Sequence, residues 1–449
     1  MDSNPMKIGM KRTISLIILS LAFPLFGAIP GNLELTVLEE EINQAILDVR
    51  DAKASRWPTI ELEINGSWME NPPIGPITVS SDELAPAFGL PAPPITNYIT
   101  VYDGMESTLY DFSLNITQPL FTWGKINASV EAQEAIADAK FQERRNREQE
   151  LSVEIATRAV TLTELEAIIQ LLEQQYDLGR ELVSLSREAV ASGMMLELEQ
   201  LETELKLQDI ELALLESKYS STEQTLKLHS LTSNRDFSAY TYNEKAIKEL
   251  LRVPLETLVD ESLSPRHASL QALTALKKAT QAAEKLAKGS FYGKPDLALV
   301  MSAGYSGPRF PFVETDWYGQ GDYDFTISVG LKTTLFDGGK IANSIKRAKS
   351  QEQTATIELQ QARERIAQEV QEQYVFLKTA IQKIDLEQRK QITLQRRIET
   401  NEELYHSGYG NQQEVIQAKM NLLSSRIAEH QLKIEAWSAF QTLQYLTRN

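Results

Sequence analysis

Large apolar residues recur at alternate positions in four stretches of the chain, most strictly in the first. In the first, Ile60, Leu62, Ile64 and Trp68 fall on one face, with Thr59, Glu61, Glu63, Asn65 and Ser67 on the other. In the second, Tyr110, Phe112, Leu114 and Ile116 oppose Asp111, Ser113, Asn115 and Thr117. The third sets Leu297, Leu299, Met301, Ala303 and Tyr305 against Ala298, Val300, Ser302 and Gly304. The fourth sets Tyr323, Phe325, Ile327, Val329 and Leu331 against Asp324, Thr326, Ser328 and Lys332. A period of two with one apolar face predicts strands, here at about 57–68, 110–121, 296–305 and 323–336.

A sheet on a soluble core is one reading of these strands; two details favour lipid. Their lengths cluster near the roughly 9–11 residues of a tilted membrane strand. Aromatic residues also gather at both ends: Trp68, Tyr110, Tyr305 and Tyr323 toward the connecting loops, and Trp57, Phe121, Trp123 and Phe336 toward the helices. Paired aromatic girdles mark the two interfaces of a membrane barrel. Four strands cannot close a barrel and lipid tolerates no open edge, so several copies must share one; three copies would supply twelve strands. The connection 70–108 is rich in proline and long, as outer barrel loops are.

The period then changes to that of helices. From Ile126 to Ser192 there is no proline and a single glycine, Gly179, so a helix there would run roughly 100 Å. Leu151, Ile155, Leu162, Leu165, Ile169, Leu172, Tyr176 and Val183 step along it by threes, fours and sevens, a coiled-coil seam. A second long helix is expected at 341–405, returning helices at 196–228 and 412–446, and shorter ones at 35–54 and 268–286.

The chain is one unit written twice. Leu120-Phe121-Thr122-Trp123-Gly124-Lys125-Ile126 reappears 215 positions on as Leu335-Phe336-Asp337-Gly338-Gly339-Lys340-Ile341, and Ser192-Gly193 reappears at the same offset as Ser407-Gly408. Two landmarks about seventy residues apart keep one register, which defines repeats at 29–229 and 265–449. Residues 230–264 lie between them and lack their pattern; a small mixed patch bracing the helices is expected there.

Composition narrows the compartment. Lys7, Lys11 and Arg12 precede an uncharged apolar run, Ile14–Ile29, too short to span a bilayer. With small residues at Gly27 and Ala28 this reads as an export signal over 1–28. The formal charge is −17; cleavage after Ala28 leaves 42 basic against 61 acidic residues, or −19. That balance opposes nucleic-acid binding and suits a solvated surface or a lumen that prefers cations. With no cysteine there is no disulfide, thiol nucleophile or thiolate metal site.

Nothing in the chain reads as catalytic. His229, His267, His406 and His430 form no helical metal pair, and Gly338-Gly339 lacks the spacing of a phosphate-binding loop. Neither metal nor cofactor is expected. Met194 and Met195 read as adaptable apolar contacts for a partner. Glu197, Glu199 and Glu202 read first as a solvated helix face.

These residues resemble the outer-membrane efflux family of TolC-type channel tunnels. The resemblance covers nearly the whole chain after the leader. It rests on Trp57-Pro58, Gln118-Pro119-Leu120-Phe121, Leu335-Phe336-Asp337-Gly338-Gly339, and Ser407-Gly408 followed by Glu414-Val415 and Ala418. It implies a homotrimer whose four strands per protomer complete a twelve-stranded β-barrel in the outer membrane of a Gram-negative-type cell. Long coiled-coil α-helices would form a periplasmic tunnel. Partners implied are a periplasmic adaptor (membrane fusion) protein, an inner-membrane pump or ABC transporter, and outer-membrane lipid. The function implied is a passive exit duct for efflux or type I secretion, not an enzyme.

Carried over by position, a periplasmic gate would use Tyr405, three before the glycine, and Glu199 and Glu414, six after it, with Glu202 in support. Copy two has Gln417 where a second acid is frequent in relatives, and Gly410 where some have a gating arginine, so the latch would differ in detail. The adaptor-docking tips would be Ser192, Gly193, Met194 and Met195 in one repeat and Ser407, Gly408, Tyr409 and Gly410 in the other. The alternative from another class is a structural or adhesive coiled-coil protein of the periplasm or cell surface. It leaves the apolar strand faces without a partner.

Overall fold

A computed structural model describes residues 32–447 apart from 92, 95, 234, 235, 309 and 311–322. The expected leader therefore lies outside the described residues, as does most of the connection between the last two strands. The order of elements is α1 (Leu33–Ala54), β1 (Thr59–Trp68), β2 (Ile77–Ser80), α2 (Ser81–Ala87), β3 (Tyr98–Tyr102), β4 (Thr108–Phe121), α3 (Lys125–Ala191), α4 (Glu197–Leu231), α5 (Glu244–Leu250), α6 (Leu255–Ser262), α7 (Ala268–Gly289), β5 (Asp296–Gly307), β6 (Tyr323–Lys332), α8 (Lys340–His406) and α9 (Gln412–Thr447).

The two long helices, α3 and α8, are each 67 residues. Their ends fall within a residue of those read from the pattern. Three details differ from the sequence reading. The fourth strand stops at Lys332, so Phe336 lies past it in the turn to α8, and 85% exposed. The long connection after β1 carries its own hairpin, β2 paired with β3, and a short helix. The intervening segment is helical rather than mixed among the described residues. Asn243 caps α5 by accepting from the Ala246 amide at 3.0 Å, and α6 begins after Pro254, where a missing N–H costs nothing.

The chain divides into two compact units, and each takes segments from both repeats. One contains Glu34–Asn146 and Val253–Tyr374, the other Arg147–Arg252 and Val375–Tyr445. The long helices each contribute residues to both.

In the first unit α1, α7 and the first turns of α3 and α8 surround a core dominated by alanine. Ala45, Ala52, Ala128, Ala132, Ala139, Ala272, Ala275, Ala279, Ala282, Ala348 and Ala355 are all buried. Small side chains at spacings of three, four and seven let helix axes approach toward the ~8 Å end of the usual range. Lys53–Glu134 (2.7 Å), Lys140–Glu41 (2.9 Å) and Lys285–Glu131 (2.9 Å) close the outer edges of these contacts. Such exposed pairs contribute little individually.

His267 at the start of α7 is buried, and its removal from water pushes its imidazole below the usual pKa range. The unfolded chain takes up this proton near pH ~6.5, while the folded chain resists it until lower pH. Stability should therefore fall as pH drops below that point. We expect the unfolding midpoint to decrease between pH 7 and 5, and His267→Phe to flatten that decrease; an unchanged slope would remove His267 from the account.

In the second unit α9 is the central helix. On one side Leu182 of α3 packs with Ile416 and Met420, and Leu178, Leu185 and Ile210 close around them. On the other, Ile398 of α8 packs with Ala418 and Leu422. Buried polar groups are matched across the seam. The Glu164 carboxylate meets His430 Nδ1 at 2.5 Å, and Gln175 donates to Ser424 Oγ at 2.7 Å and to the Met420 carbonyl at 3.3 Å.

The α3 seam departs from its sequence reading. Leu151, Ile155, Leu172 and Val183 are buried, while Leu162, Leu165, Ile169 and Tyr176 are only partly so. The remaining buried positions include Ala156, Ala159, Val160, Glu164, Ile168, Gln175, Leu182 and Ser186, many of them small or polar. Gly179 explains part of this choice: a Cβ there would meet Leu207 Cδ1 at 3.0 Å.

Candidate functional site

The four long strands form one antiparallel sheet in the order β1-β4-β5-β6. Its register lines up the alternation read from the sequence. Leu62, Leu114, Ala303 and Phe325 form one row; Ile60, Ile116, Met301 and Ile327 form the next; Ile64, Phe112, Tyr305 and Tyr323 form a third. One face of the sheet is therefore wholly apolar in these rows, and it is open along the outer strands, where Leu62 is 65% and Phe325 69% exposed, while Tyr305 at the loop end is buried. The opposite face carries Glu63, Ser113, Gly304 and Asp324 in one row and Glu61, Asn115, Ser302 and Thr326 in another. The Asp324 carboxylate folds over Gly304, where any Cβ would collide with it.

Aromatic residues bound the apolar face as the sequence suggested. At the loop end Tyr305 meets Tyr323 with ring centroids 5.2 Å apart, Phe112 meets Tyr305 at 6.1 Å, and Phe310 packs on Tyr110 and Phe112 at 5.5 and 5.3 Å. Trp68 stands opposite Thr108 at the same end, 69% exposed. At the helix end lie Trp57, Phe121 and Trp123, with Phe121 edge-on to Trp123 at 5.1 Å. A strand of ten residues rises ~34 Å and, tilted by about 45°, spans close to the ~25 Å apolar band of a membrane barrel.

Each strand passes to its long helix through a turn at the shared landmark. In the second repeat the Asp337 carboxylate accepts from the backbone amides of Gly339 (3.0 Å) and Ile341 (2.8 Å), capping α8, and the Tyr292 hydroxyl donates to it. The Tyr292 hydrogen bond first, with those amides, holds Asp337 below the usual carboxylate range. In the first repeat Lys125 instead pairs with Asp296.

The turns after α3 and α8 have the same geometry in both repeats. The Gly193 amide donates to the Val190 carbonyl at 3.0 Å and the Met194 amide to the Ala189 carbonyl at 2.8 Å. The Gly408 amide donates to Tyr405 at 3.0 Å and the Tyr409 amide to Leu404 at 2.9 Å. This is the Schellman closure, which needs a residue at positive φ; Gly193 and Gly408 have φ of 73° and 79°. The serines match as well: Ser192 Oγ donates to Glu188 at 2.9 Å and Ser407 Oγ to Glu403 at 2.7 Å.

Met194, at 80%, and Tyr409, at 88%, are the most exposed large side chains of the two turns. Met195 and Gly410 complete them. The second repeat adds a helix cap absent from the first: Asn411 Oδ1 accepts from the Glu414 amide at 2.8 Å, where Leu196 has only its backbone to offer.

Glu199 and Glu414 both occupy the first turn of a returning helix, where the helix dipole favours an acid. Tyr405 is partly exposed, its ring 5.7 Å from that of His406. Within the chain the Tyr405 hydroxyl and the carboxylates of Glu199, Glu202 and Glu414 have no hydrogen-bond partner among the described residues. What ties this region together is a pair the sequence reading missed. Arg187 of α3 grips Glu204 of α4 through two nitrogens at 3.1 and 2.7 Å, with Gln200 adding a third donor at 3.2 Å. The guanidinium beside it, then Gln200, lowers the Glu204 carboxyl below its ordinary range.

A second missed feature is the outer face of α4. Leu198, Leu201, Leu205, Leu212, Leu215, Tyr219 and Leu226 step by threes, fours and sevens and are between 48% and 71% exposed. This is a heptad seam with no partner helix on it among the described residues. No helix among the described residues is long and apolar enough to cross a membrane.

An exposed apolar sheet face between aromatic rims, joined to long helices, defines an outer-membrane channel subunit. The sequence profile of the outer membrane efflux protein family matches residues 28–234 and 258–447, and the chain belongs to that family. Its members are channel proteins of the outer membrane, not enzymes, which sets aside the adhesive coiled-coil alternative. No curated protein matches the chain at a significant level.

Solved structures share the fold at low identity. The Vibrio cholerae outer membrane protein VceC is 18% identical, with a TM-score of 0.70 over 93% of each chain. The Campylobacter jejuni CmeC outer membrane channel is 16% identical, with a TM-score of 0.71 over 93% of this chain and 83% of that one. The Neisseria gonorrhoeae MtrE outer membrane channel, in its open state, is 13% identical, with a TM-score of 0.71 over 93% and 86%.

Proposed function

We propose that three copies of this chain close a twelve-stranded barrel in the outer membrane and form with their helices a passive exit duct. The observation that carries this is the sheet: four strands, two open edges at β1 and β6, and one uncovered apolar face. The strands alternate in direction, so β6 of one copy meets β1 of the next antiparallel and the pattern closes without a mismatch. The unpartnered heptad face of α4 supports helix packing between copies. Cysteines placed in β1 and β6 test this directly, because the chain has none of its own.

The duct delivers cargo received from an inner-membrane pump or ABC transporter through a periplasmic adaptor. The paired glycine turns, with Met194 and Tyr409 most exposed and Met195 and Gly410 beside them, are the adaptor-docking tips. The polar face of the sheet lines the lumen; with Glu61, Glu63, Asp111 and Asp324 against Lys332 it favours cations. Reversal potentials across a salt gradient should show cation selectivity, and anion selectivity would contradict this lining.

The periplasmic gate forms between copies, where Tyr405 of one donates to Glu199 or Glu414 of the next, with Glu202 alongside. A phenol–carboxylate bond is charge-assisted, and an exposed one contributes about 1 kcal/mol, repeated by symmetry. Tyr405→Phe with Glu199→Ala should raise single-channel conductance while trimer stability changes little. Unchanged conductance would leave Tyr405 as ordinary packing.

A further inference from the structure

Trp123 occupies a backbone conformation that suits glycine. Its φ is 53°, and it is the only non-glycine residue at positive φ among those described. The matching position in the second repeat, 215 residues on, is Gly338 at φ 71°. The second repeat thus makes the same left-handed turn without strain, and the first places a bulky indole in it. Nothing about the turn itself requires that side chain.

The indole is held in a defined pose. Its Nε1–H donates to the Pro295 carbonyl at 2.9 Å, its edge meets Phe121, and 43% of the residue remains exposed. The Lys294 ammonium lies 5.8 Å from the ring centroid, within cation–π range. That ammonium also donates to the Lys288 carbonyl at 3.0 Å, and among the described residues no carboxylate pairs with it. Its neighbours are compensated: Lys125 by Asp296, Lys285 by Glu131 and Lys288 by Glu284. An uncompensated cation on an exposed indole thus sits at the rim of an uncovered apolar sheet face. Leu120 and Phe121, each 51% exposed, lead from it onto the strand.

We infer that Trp123 and Lys294 form a phospholipid site at this rim, in which Lys294 pairs with the headgroup phosphate and an acyl chain lies along Phe121. The inference rests on the reading that the sheet crosses a bilayer. The ring holds the ammonium at headgroup depth while its own apolar body faces the chains, as interfacial tryptophans and snorkelling lysines do. The left-handed turn at Trp123 aims the indole at this rim. One such site per protomer follows, since the second repeat has glycine there.

The test uses the full-length protein purified in detergent with phosphatidylglycerol and phosphatidylethanolamine, its bound lipid counted by native mass spectrometry after a delipidating wash. Wild type should retain one lipid per chain. Lys294→Gln and Trp123→Gly should each lower that retention roughly fivefold, and Lys294→Arg should restore most of it. Trp123→Gly suits the turn's φ, so loss of folding does not confound it. Equal retention in all variants would overturn the site. So would full displacement of the lipid by millimolar inorganic phosphate, which would make the ligand a free anion. Fractionation separates the premises: variants that reach the outer membrane like wild type yet keep their lipid overturn this site alone. Absence of wild type from that fraction would overturn the bilayer reading and the site with it.

Discussion

Leu62→Arg should nearly abolish the outer-membrane form of the protein, whereas Glu63→Arg, one residue along, should leave it almost intact. The two side chains share a strand and differ only in face. Leu62 belongs to the row Leu62, Leu114, Ala303 and Phe325, and Glu63 to the polar row with Ser113, Gly304 and Asp324. An arginine on the lipid face near the midplane costs about 2–4 kcal/mol, and a lumen position carries no such cost. With three copies per barrel the penalty is imposed three times. Quantified in washed outer membranes, Leu62→Arg should fall roughly tenfold or more while Glu63→Arg stays within about twofold of wild type. Equal losses for both would mean that the faces are assigned wrongly or that the sheet never meets lipid.

Gly408→Val should stop export while leaving the barrel inserted, and Gly408→Asn should not. Gly408 has φ 79°, and the amides of Gly408, Tyr409 and Gly410 all turn back on the last carbonyls of α8. A β-branched side chain in that conformation costs on the order of 1–2 kcal/mol or more, which the turn can relieve only by giving up those bonds. Asparagine tolerates the left-handed region. If the turns are the docking tips, valine displaces Tyr409 and Gly410 from the surface an adaptor meets, and six tips per trimer multiply the effect when Gly193→Val is added. Accumulation of an exported dye should rise to the level of cells lacking the channel, with the same amount of trimer in the membrane. Export that survives valine at both glycines would place docking elsewhere.

The strands were legible because a sheet offers only two faces, so an apolar residue at every second position is nearly a statement of structure. The repeat was equally plain, since a constant offset ties Phe121 to Phe336 and Gly193 to Gly408. The packing of α3 was not. Its buried line runs through Ala159, Glu164, Gly179 and Ser186, which a search for large apolar residues passes over. Those residues are there because α9 and α4 come close, and the partner of a small residue cannot be read from the residue itself. Conversely, the leucines of α4 look like a core stripe and are exposed within the chain.

The site divides along the same line. Gly193 and Gly408 announced their turns, because a lone glycine ending a long helix has one common use. The Arg187–Glu204 grip joins residues 17 apart on two helices and depends on how those helices turn past each other. Trp123 hid its strained backbone behind a side chain that normally avoids it; only its alignment with Gly338 pointed there.

The most direct test of the account is a crosslink between β1 and β6. These strands are separated by β4 and β5 within one chain, so they can be neighbours only between chains. A cysteine at Glu63 and another at Asp324, both on the polar face, introduced into this cysteine-free chain and treated with a short bis-maleimide in outer membranes, should yield covalent dimer and trimer and nothing larger. Each single-cysteine variant should remain monomeric on a denaturing gel. Monomer alone from the double variant, or a ladder continuing past trimer, would contradict a closed barrel of three copies.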